Sequence, residues 1–393
     1  MKFKDTLVMV SGFVMVVGAT GCGEGPKRIT LPGAVKPGVA KEVAWQVGVT
    51  SISTGGSPVV NLIAQDGGVV SAYRHYNLPT YFVSRLRADL SRDEAFEKNF
   101  ADTHAKSPDF CKGPVVALRE EVDGYVLLAG KRESDKVGNC EVKLSVTGEV
   151  MTAKTADIGG GAPSFVEMPK PVCADTGAAP AGGFEAVEFT RRDGQGAVVY
   201  RLKGCATADG GTAEQLVLQR VKYSADAKKA ELVQQDLIEG TLALASGTAL
   251  AIDEKARVWI ATPEGDGFQA RVISGETPFQ RVDLTGGNPG FGTAYELKTL
   301  EDGQVYFAAR MVQKTGGQGY YAQALVAALG VDLNGAPTAK VVTYDHMNPG
   351  REGERQAEAQ SLLGVRDGVL YVGGFVLDAG DDKACVFKLT NLR

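Results

Sequence analysis

One unit of sequence recurs six times along this chain of 393 residues and constrains its fold more than any other feature. Each copy is a short β-prone run, a tight turn carrying Asp or Gly, and a second run rich in Val, Tyr, Leu and Ala. The copies occupy 59–73, 115–130, 184–202, 248–262, 294–309 and 361–374. Five turns read Asp-Gly, and the fourth reads Asp253-Glu254. Asp-Gly between alternating apolar runs predicts a β-hairpin with a type I′ turn.

A second hairpin of similar kind is expected after each copy. It is visible in the segments 141–151, 216–233, 269–282 and 322–342. Two hairpins make four strands, and a four-stranded sheet repeated about every 60 residues is typical of a β-propeller blade. The last copy ends after its third strand, residues 385–389, and the β-prone run 42–49 could complete it.

The sequence therefore predicts an all-β chain that forms a single β-propeller. Six four-stranded blades are expected, closed by an N-terminal strand in the last blade, with seven blades as the main alternative. A pair of β-sandwiches or a solenoid built from the same hairpins is the alternative architecture. The fifty glycines favour such turn-dense β folds, because glycine is used wherever φ must be positive.

The amino-acid sequences of the units resemble the long tandem repeats of secreted propellers from delta-proteobacteria. The resemblance rests on Val122-Asp-Gly-Tyr-Val-Leu-Leu-Ala-Gly130, Val365-Arg-Asp-Gly-Val-Leu-Tyr-Val-Gly-Gly374 and Val83-Ser-Arg-Leu-Arg-Ala-Asp89. It covers about residues 57–392 and departs in the fourth copy, where Glu254 replaces Gly. It implies a propeller and indicates little about activity.

The N-terminus predicts export. Lys2 and Lys4 precede an apolar run over 7–17, and small residues lead to Cys22. The segment Gly18-Ala19-Thr20-Gly21-Cys22 resembles the lipobox of bacterial lipoproteins, in which the cysteine thiol is acylated and becomes the new N-terminus. That resemblance implies a signal peptide over 1–21 and lipidation at Cys22. An ordinary secretory signal cleaved near residues 19–21 is the alternative.

Three regions follow from this start: the signal peptide over 1–21, the lipidated cysteine with a Gly/Pro/Lys-rich flexible tether over 22–40, and the propeller over 41–393. Gly23 follows Cys22 where an Asp would signal retention, so we expect anchoring in the outer membrane of a Gram-negative bacterium. No second apolar stretch of about 18 residues occurs, so the lipid would be the membrane attachment.

Charge excludes one class of partner. After removal of 1–21 the chain keeps 40 Lys and Arg against 46 Asp and Glu, a net charge of −6. It has no basic stripe with interleaved aromatic residues, and an acidic surface repels a phosphate backbone. Nucleic acid is therefore not an expected partner.

Five cysteines remain after Cys22, in a chain whose signal directs it to an oxidising compartment. Cys111 and Cys140 flank the first hairpin of the second copy, and Cys173 and Cys205 hold the corresponding places in the third. This parallel placement predicts the disulfides Cys111–Cys140 and Cys173–Cys205. Cys385 has no partner cysteine in its copy and is expected to be a buried free thiol, with an intermolecular bridge as the alternative.

The sequence offers little material for catalysis. Its three histidines, His75, His104 and His346, have no second His or Cys at ligand spacing, so no metal site or cofactor is predicted. Solvated loop histidines are expected, although His75 and His346 could reach a propeller mouth as acid or base. The repeated Asp is explained by turn chemistry. The charged run 351–358 is expected to be a solvated loop, and no catalytic residue is assigned.

These observations favour a lipid-anchored envelope propeller that works as a scaffold or binding module for a protein or glycan partner. The alternative is a secreted or anchored propeller enzyme of hydrolase or lyase type, with carboxylates in the axial channel. A purely structural envelope component is the third hypothesis. Carboxylates or histidines that converge in the channel would favour the enzyme.

Overall fold

The computed structural model describes residues 28–30, 43–53, 59–73, 81–104, 115–129, 140–155, 185–193, 196–205, 215–224, 229–239, 249–255, 257–264, 267–274, 277–283, 291–314, 320–333, 337–346, 356–378 and 381–392. Within these ranges the chain forms β-strands, grouped into six separate antiparallel sheets, and one helix. The protein is therefore all-β, as predicted.

The first three sheets follow the chain. Sheet 1 holds β3 (Val60–Ile63), β4 (Val69–Tyr73) and β5 (Phe82–Leu86). Sheet 2 holds β6 (Val115–Glu121), β7 (Gly124–Ala129), β8 (Cys140–Ser145) and β9 (Val150–Thr155). Sheet 3 holds β10 (Glu185–Asp193), β11 (Gly196–Cys205), β12 (Gln215–Tyr223) and β13 (Ala230–Glu239).

The remaining sheets continue in the same order. Sheet 4 holds β14 (Ala249–Ile252), β15 (Val258–Glu264), β16 (Gly267–Ser274) and β17 (Thr277–Asp283). Sheet 5 holds β18 (Phe291–Thr299), β19 (Val305–Lys314), β20 (Tyr320–Val331) and β21 (Pro337–Asp345), with β1 (Arg28–Thr30) beside β21. Sheet 6 holds β22 (Ala357–Arg366), β23 (Val369–Asp378) and β24 (Asp381–Thr390), with β2 (Ala44–Ser53) beside β24.

Sheet 6 contains the two ends of the repeat region, as the sequence predicts. β2 runs antiparallel to β24, with Trp45 opposite Leu389 and Val49 opposite Cys385. The other N-terminal strand, β1, lies within the segment predicted as a tether and adds a fifth strand to sheet 5. It places Ile29 opposite Tyr344.

Sheet 1 departs from the predicted four strands. It has no fourth strand among the described residues, and β5 is followed by α1 (Glu94–His104), which contacts β5 and β9. The carboxylate of Asp93 accepts a hydrogen bond from the Phe96 N–H at 3.3 Å, as a helix N-cap does. Phe96 and Phe100, four residues apart, are both buried. Local helical signals therefore override the repeat at this point.

Most of the described turns are not of the predicted type I′. The N–H of Gly67 donates to the carbonyl of Ala64 at 2.9 Å, and Gly303 donates to Leu300 in the same way. Each of these glycines has positive φ while the preceding Asp does not, which describes a type I turn followed by a left-handed glycine. Among the described turns, Asp367-Gly368 has positive φ at both residues and fits type I′.

Replacement of Gly124 by alanine is expected to lower the free energy of unfolding by about 3 kcal/mol. Gly124 has φ +153°, and a Cβ there would lie 1.9 Å from the carbonyl oxygen of Leu144. Gly368→Ala is the matched control, because Gly368 also has positive φ but a Cβ added there would meet no atom within 4 Å. It should lose only about 1–2 kcal/mol. Urea denaturation followed by circular dichroism measures both, and equal losses would contradict the steric explanation.

The first strands of neighbouring sheets contact one another: β3 with β6, β10 with β14, β14 with β18, β18 with β22, and β22 with β3. The buried cores follow the same neighbourhoods. One cluster joins sheets 5 and 6 around Trp45 and Tyr344, another joins sheets 4 and 5 around Trp259 and Phe307, and a third joins sheets 1 and 2 with α1. The sheets joined in this way therefore pack against one another, with their first strands side by side.

Candidate functional site

The first strand of each sheet begins at one edge, and its Asp hairpin lies at the other. We call these the entry edge and the turn edge. Neighbouring strands run antiparallel, so strands start and end alternately at the entry edge. In sheets 5 and 6, four strands start there: β18, β20, β22 and β24. Four others end there: β19, β21, β23 and β2. Side chains from distant parts of the sequence meet there.

Two β-bulges shape the entry edge. The pairing of β18 with β19 shifts at Tyr295, and that of β22 with β23 shifts at Gln360. Each residue stands seven positions before its turn aspartate, Asp302 or Asp367, so the two occupy equivalent places on adjacent first strands. A bulge leaves one residue outside the regular pairing and re-aims its side chain. Here it turns both side chains toward the same carboxylate.

That carboxylate belongs to Glu358 on β22, a residue that is only 1% exposed. Its Oε2 accepts a hydrogen bond from the Tyr295 hydroxyl and another, at 3.3 Å, from the Gln360 amide. Its Oε1 lies 2.8 Å from Nη1 of Arg310 on β19. We call Tyr295, Arg310, Glu358 and Gln360 the Glu358 cluster.

Burial governs the protonation of this cluster. It raises the pKa of Glu358, while the hydrogen bond from Tyr295 and the charge of Arg310 act in the opposite direction. Burial and the neighbouring Glu358 raise the pKa of Tyr295 to about 12. Tyr295 therefore keeps its proton at neutral pH and points it at a buried carboxyl group that can accept it. The residues at the surface are Tyr295, 36% exposed, and Arg310, whose side chain is 36% exposed.

Two other carboxylates, on β18 and in the turn that follows it, have structural roles. Glu296 accepts a hydrogen bond from the Leu362 N–H at 2.5 Å, and Glu301 accepts one from the Val365 N–H at 2.6 Å. Both bind backbone groups on β22, next to its second bulge. These glutamates join two first strands and are already occupied.

The repeated turn aspartates are also structural, as the sequence predicts. Asp66 accepts a hydrogen bond from the Gly68 N–H at 2.9 Å, and Asp302 accepts one from the Gln304 N–H at 3.0 Å. Asp253 accepts hydrogen bonds from two backbone N–H groups and from the Trp259 ring. These carboxylates belong to the turn edge.

The histidine expectation was wrong for the two histidines that the structure describes. His104 is 6% exposed and packs its ring against Tyr81 at 4.4 Å and Phe100 at 4.8 Å. His346 is 3% exposed, and its Nδ1 lies 3.4 Å from the Tyr344 hydroxyl. Both are core residues. His75 lies outside the described residues.

The charged run 351–358 was expected to be a solvated loop, but its last residue, Glu358, is a buried strand residue. Residues 351–355 lie outside the described part of the chain. The Glu358 cluster was missed for this reason. Its local signal is limited to Glu358 and Gln360 at the start of β22, just ahead of an apolar repeat, whereas Tyr295 and Arg310 lie on β18 and β19 of the preceding sheet.

The structure bears on only some of the cysteine predictions. Cys385 is a buried free thiol, as predicted. Cys140 is buried and disulfide-bonded, but Cys111 and Cys173 lie outside the described residues. Cys205 ends β11. Both pairings therefore stay predictions, as does lipidation of Cys22, which is likewise outside the described ranges.

The described residues present neither a metal-binding cluster nor a membrane-spanning helix. No group of three or more His, Cys, Asp or Glu side chains among them is placed to hold a metal ion. Their single helix, α1, is neither long enough nor apolar enough to cross a bilayer.

No family model matches the chain, and no curated protein matches it. Solved structures show distant similarity. Virginiamycin B lyase from Staphylococcus aureus is 10% identical, with 89% of this chain and 99% of that chain covered and a TM-score of 0.26. A mannose phosphorylase from Leishmania mexicana is 8% identical, with 87% and 89% covered and a TM-score of 0.31. A polysaccharide lyase described as an ulvan lyase is 9% identical, with 85% and 79% covered and a TM-score of 0.33. Similarity this low identifies neither the activity nor the ligand of this chain.

Proposed function

We propose that the six sheets are the blades of a closed six-bladed β-propeller. The first strands would line its axis, since five of the six neighbouring pairs of first strands contact one another. The pairing of β2 with β24 supports closure, because it joins the N-terminal strand to the last sheet. In this arrangement the Glu358 cluster lies at the mouth of the axial channel, between the fifth and sixth blades.

We propose that the protein is a propeller enzyme of hydrolase or lyase type. The observation that carries this proposal is the Tyr295–Glu358 hydrogen bond beside Arg310. A phenol that donates to a buried, ionised carboxylate can pass its proton to that carboxylate while it takes a proton from the substrate, and the reverse transfer through the same hydrogen bond then protonates the leaving group. Glu358 is too buried to meet a substrate directly, so Tyr295 would be the catalytic residue and Glu358 its proton partner. Such a site favours the enzyme over the scaffold module.

Arg310 and Gln360 would act as positioning residues. Each contacts Glu358, Arg310 on one oxygen and Gln360 on the other, so the carboxyl group is fixed while its proton moves. Arg310 also stabilises the ionised carboxylate electrostatically. All of this chemistry uses side chains of the chain itself, and the proposal requires no cofactor.

Replacement of Tyr295 by phenylalanine is expected to reduce turnover about 10²–10⁴-fold, because the proton donor is lost while the ring remains. The substrate is first found on a panel of polysaccharides and lactones, scored for new reducing ends, acid release and the ultraviolet absorbance of unsaturated products. Tyr371→Phe is the matched control, since its hydroxyl donates to the Gly67 carbonyl at 3.4 Å on the turn edge. A wild-type protein inactive on every class, or equal activity in the two variants, would contradict the proposal.

We also propose that the enzyme is an exported lipoprotein of the outer membrane, anchored through Cys22. Expressed in a bacterial host, the wild-type protein should carry an acyl mass and partition into membranes, while Cys22→Ala should be soluble and unacylated. A wild-type protein that is soluble and cut near Gly21 would replace the anchor with plain secretion. The Tyr295 experiment is independent of this result, because the channel chemistry does not require the lipid.

A further inference from the structure

The segment predicted as a tether is joined to the body at the entry edge. Within it, β1 pairs with β21 along the outer side of sheet 5, with Arg28 opposite Asp345 and Thr30 opposite Thr343. β21 ends at the entry edge with Asp345, and β1 runs antiparallel to it. β1 therefore starts at the entry edge, and the chain that follows Cys22 enters the body there.

The chain between the proposed anchor and β1 is short. Five residues, 23–27, separate Cys22 from Arg28. An extended chain advances at most about 3.6 Å per residue, so the Cα atom of Cys22 lies no more than about 22 Å from that of Arg28, whatever path these residues take. A lipid on Cys22 must reach the bilayer, so it would bring the entry edge of sheet 5 within about that distance of the membrane surface.

The turn edge lies on the far side of the same sheet. β21 has nine residues, Pro337–Asp345, which span about 27 Å at the rise of an antiparallel strand. To bring the turn edge to the bilayer, residues 23–27 would have to run back along the whole sheet, and about 22 Å of extended chain is shorter than about 27 Å of strand. The length of the chain therefore favours the entry edge as the side next to the membrane.

We infer that the anchored protein holds its entry edge toward the bilayer, so that this edge of sheets 5 and 6 is a membrane-facing surface. The inference rests on the proposed lipidation of Cys22 and, for the substrate, on the proposed function. The Glu358 cluster lies at the same edge, so its substrate would enter between the protein and the lipid headgroups. A molecule displayed at the membrane surface fits this position better than a long polymer in solution.

Energy transfer from two labelled positions to acceptor-labelled lipids tests the orientation. Asp381→Cys places a fluorophore at the entry edge, where the Asp381 side chain is 64% exposed at the start of β24. Leu333→Cys is the matched control, since Leu333 is fully exposed in the turn between β20 and β21, at the turn edge. Cys385 is buried and should not take up the label.

The full-length acylated protein is measured on phosphatidylcholine vesicles, whose surface has no net charge, so that the anchor sets the orientation. Transfer from position 381 should be at least about threefold more efficient than transfer from position 333, because the two edges are separated by the length of a strand. Equal efficiencies at the two positions, or a larger one at position 333, would overturn the inference.

A longer tether provides the second test. Insertion of about 20 Gly and Ser residues after Gly25 adds a flexible linker with a mean reach of about 25 Å. This variant should stay on the vesicles but lose the difference between the two labelled positions. A difference that survives the insertion would show that the tether does not set the orientation, and would overturn the inference as well.

Failure of the proposals beneath this inference gives different results. A native signal that leads to no acylation would overturn the anchor, and the transfer measured after exchange of residues 1–21 for an established lipoprotein signal would still decide the reach of the tether. A protein that orients as expected but turns over no substrate would overturn the enzyme alone. A panel substrate that the vesicle-bound protein turns over equally well free in solution and coupled to vesicle lipid would overturn the preference for a surface-displayed substrate.

Discussion

Replacement of Trp45 by alanine is expected to lower the free energy of unfolding by about 3–5 kcal/mol, the range for removing a fully buried aromatic side chain. Trp45 is 0% exposed on β2. Its ring stacks on Tyr344 of sheet 5 and meets Phe387 of sheet 6 edge-on, with both centroids at 5.4 Å. This one side chain on β2 therefore packs against both sheet 5 and sheet 6, and its loss leaves a cavity between them.

Trp45→Phe distinguishes packing from hydrogen bonding. The indole N–H of Trp45 is buried and has no hydrogen-bond partner among the described residues, so phenylalanine gives up no polar contact seen there. Its loss should be smaller, about 1–2 kcal/mol, in line with a partial reduction in volume. Val146→Ala, at a 53% exposed position, should be near neutral. Urea denaturation measures all three, and a Trp45→Ala variant as stable as Val146→Ala would mean that β2 does not close the fold.

The pairing of β2 with sheet 6 could be predicted from the sequence, because it follows from counting the β-prone segments at the two ends of the repeat region. The last repeat lacks a fourth strand, and the β-prone segment 42–49 precedes the first repeat without a partner of its own. Counting strands suffices to pair them, and β2 does pair with β24. The hairpins were equally accessible, since Asp-Gly and its flanking alternation are local features.

Other elements could not be predicted from the repeat. The capping Asp93 and the Phe96/Phe100 spacing are helical signals, but the expectation of a fourth strand in every sheet overrode them. In the type I turns the aspartate has negative φ and is the second central residue, whereas in type I′ it has positive φ and is the first, and the Asp-Gly dipeptide does not determine which form is adopted. In each case the choice was between two conformations that the same residues allow.

The site depended on bulges and long-range pairing. Tyr295 and Glu358 are separated by 63 residues, and their hydrogen bond exists because two bulges fall at equivalent places on adjacent first strands. Nothing in the composition distinguishes Glu358 from the charged residues before it. What separates it is burial, which follows from the packing of β22 between neighbouring strands.

Glu358→Gln is expected to reduce kcat about 10²–10⁴-fold with little effect on folding. The glutamine oxygen can still accept the Tyr295 hydrogen bond, but a neutral amide cannot take up the proton. Arg310 loses its charge partner, and the exposed third of its side chain remains accessible to water. Glu296→Gln is the matched control, because an amide oxygen can still accept the hydrogen bond from the Leu362 N–H in sheet 6, and the other carboxylate oxygen only faces the partly exposed Lys298 at 3.8 Å.

The pH profile separates a proton acceptor from a structural glutamate. Burial raises the pKa of Glu358 above its ordinary value of 4.5, and only the ionised form accepts a proton. Wild-type activity should therefore rise with pH through that raised pKa, and Glu296→Gln should keep the same acidic limb. Glu358→Gln should lack this acidic limb and should show a low residual rate that does not change with pH. If both variants lost the same activity and kept the wild-type profile, Glu358 would be a packing residue, and Tyr295 would need another group to return its proton.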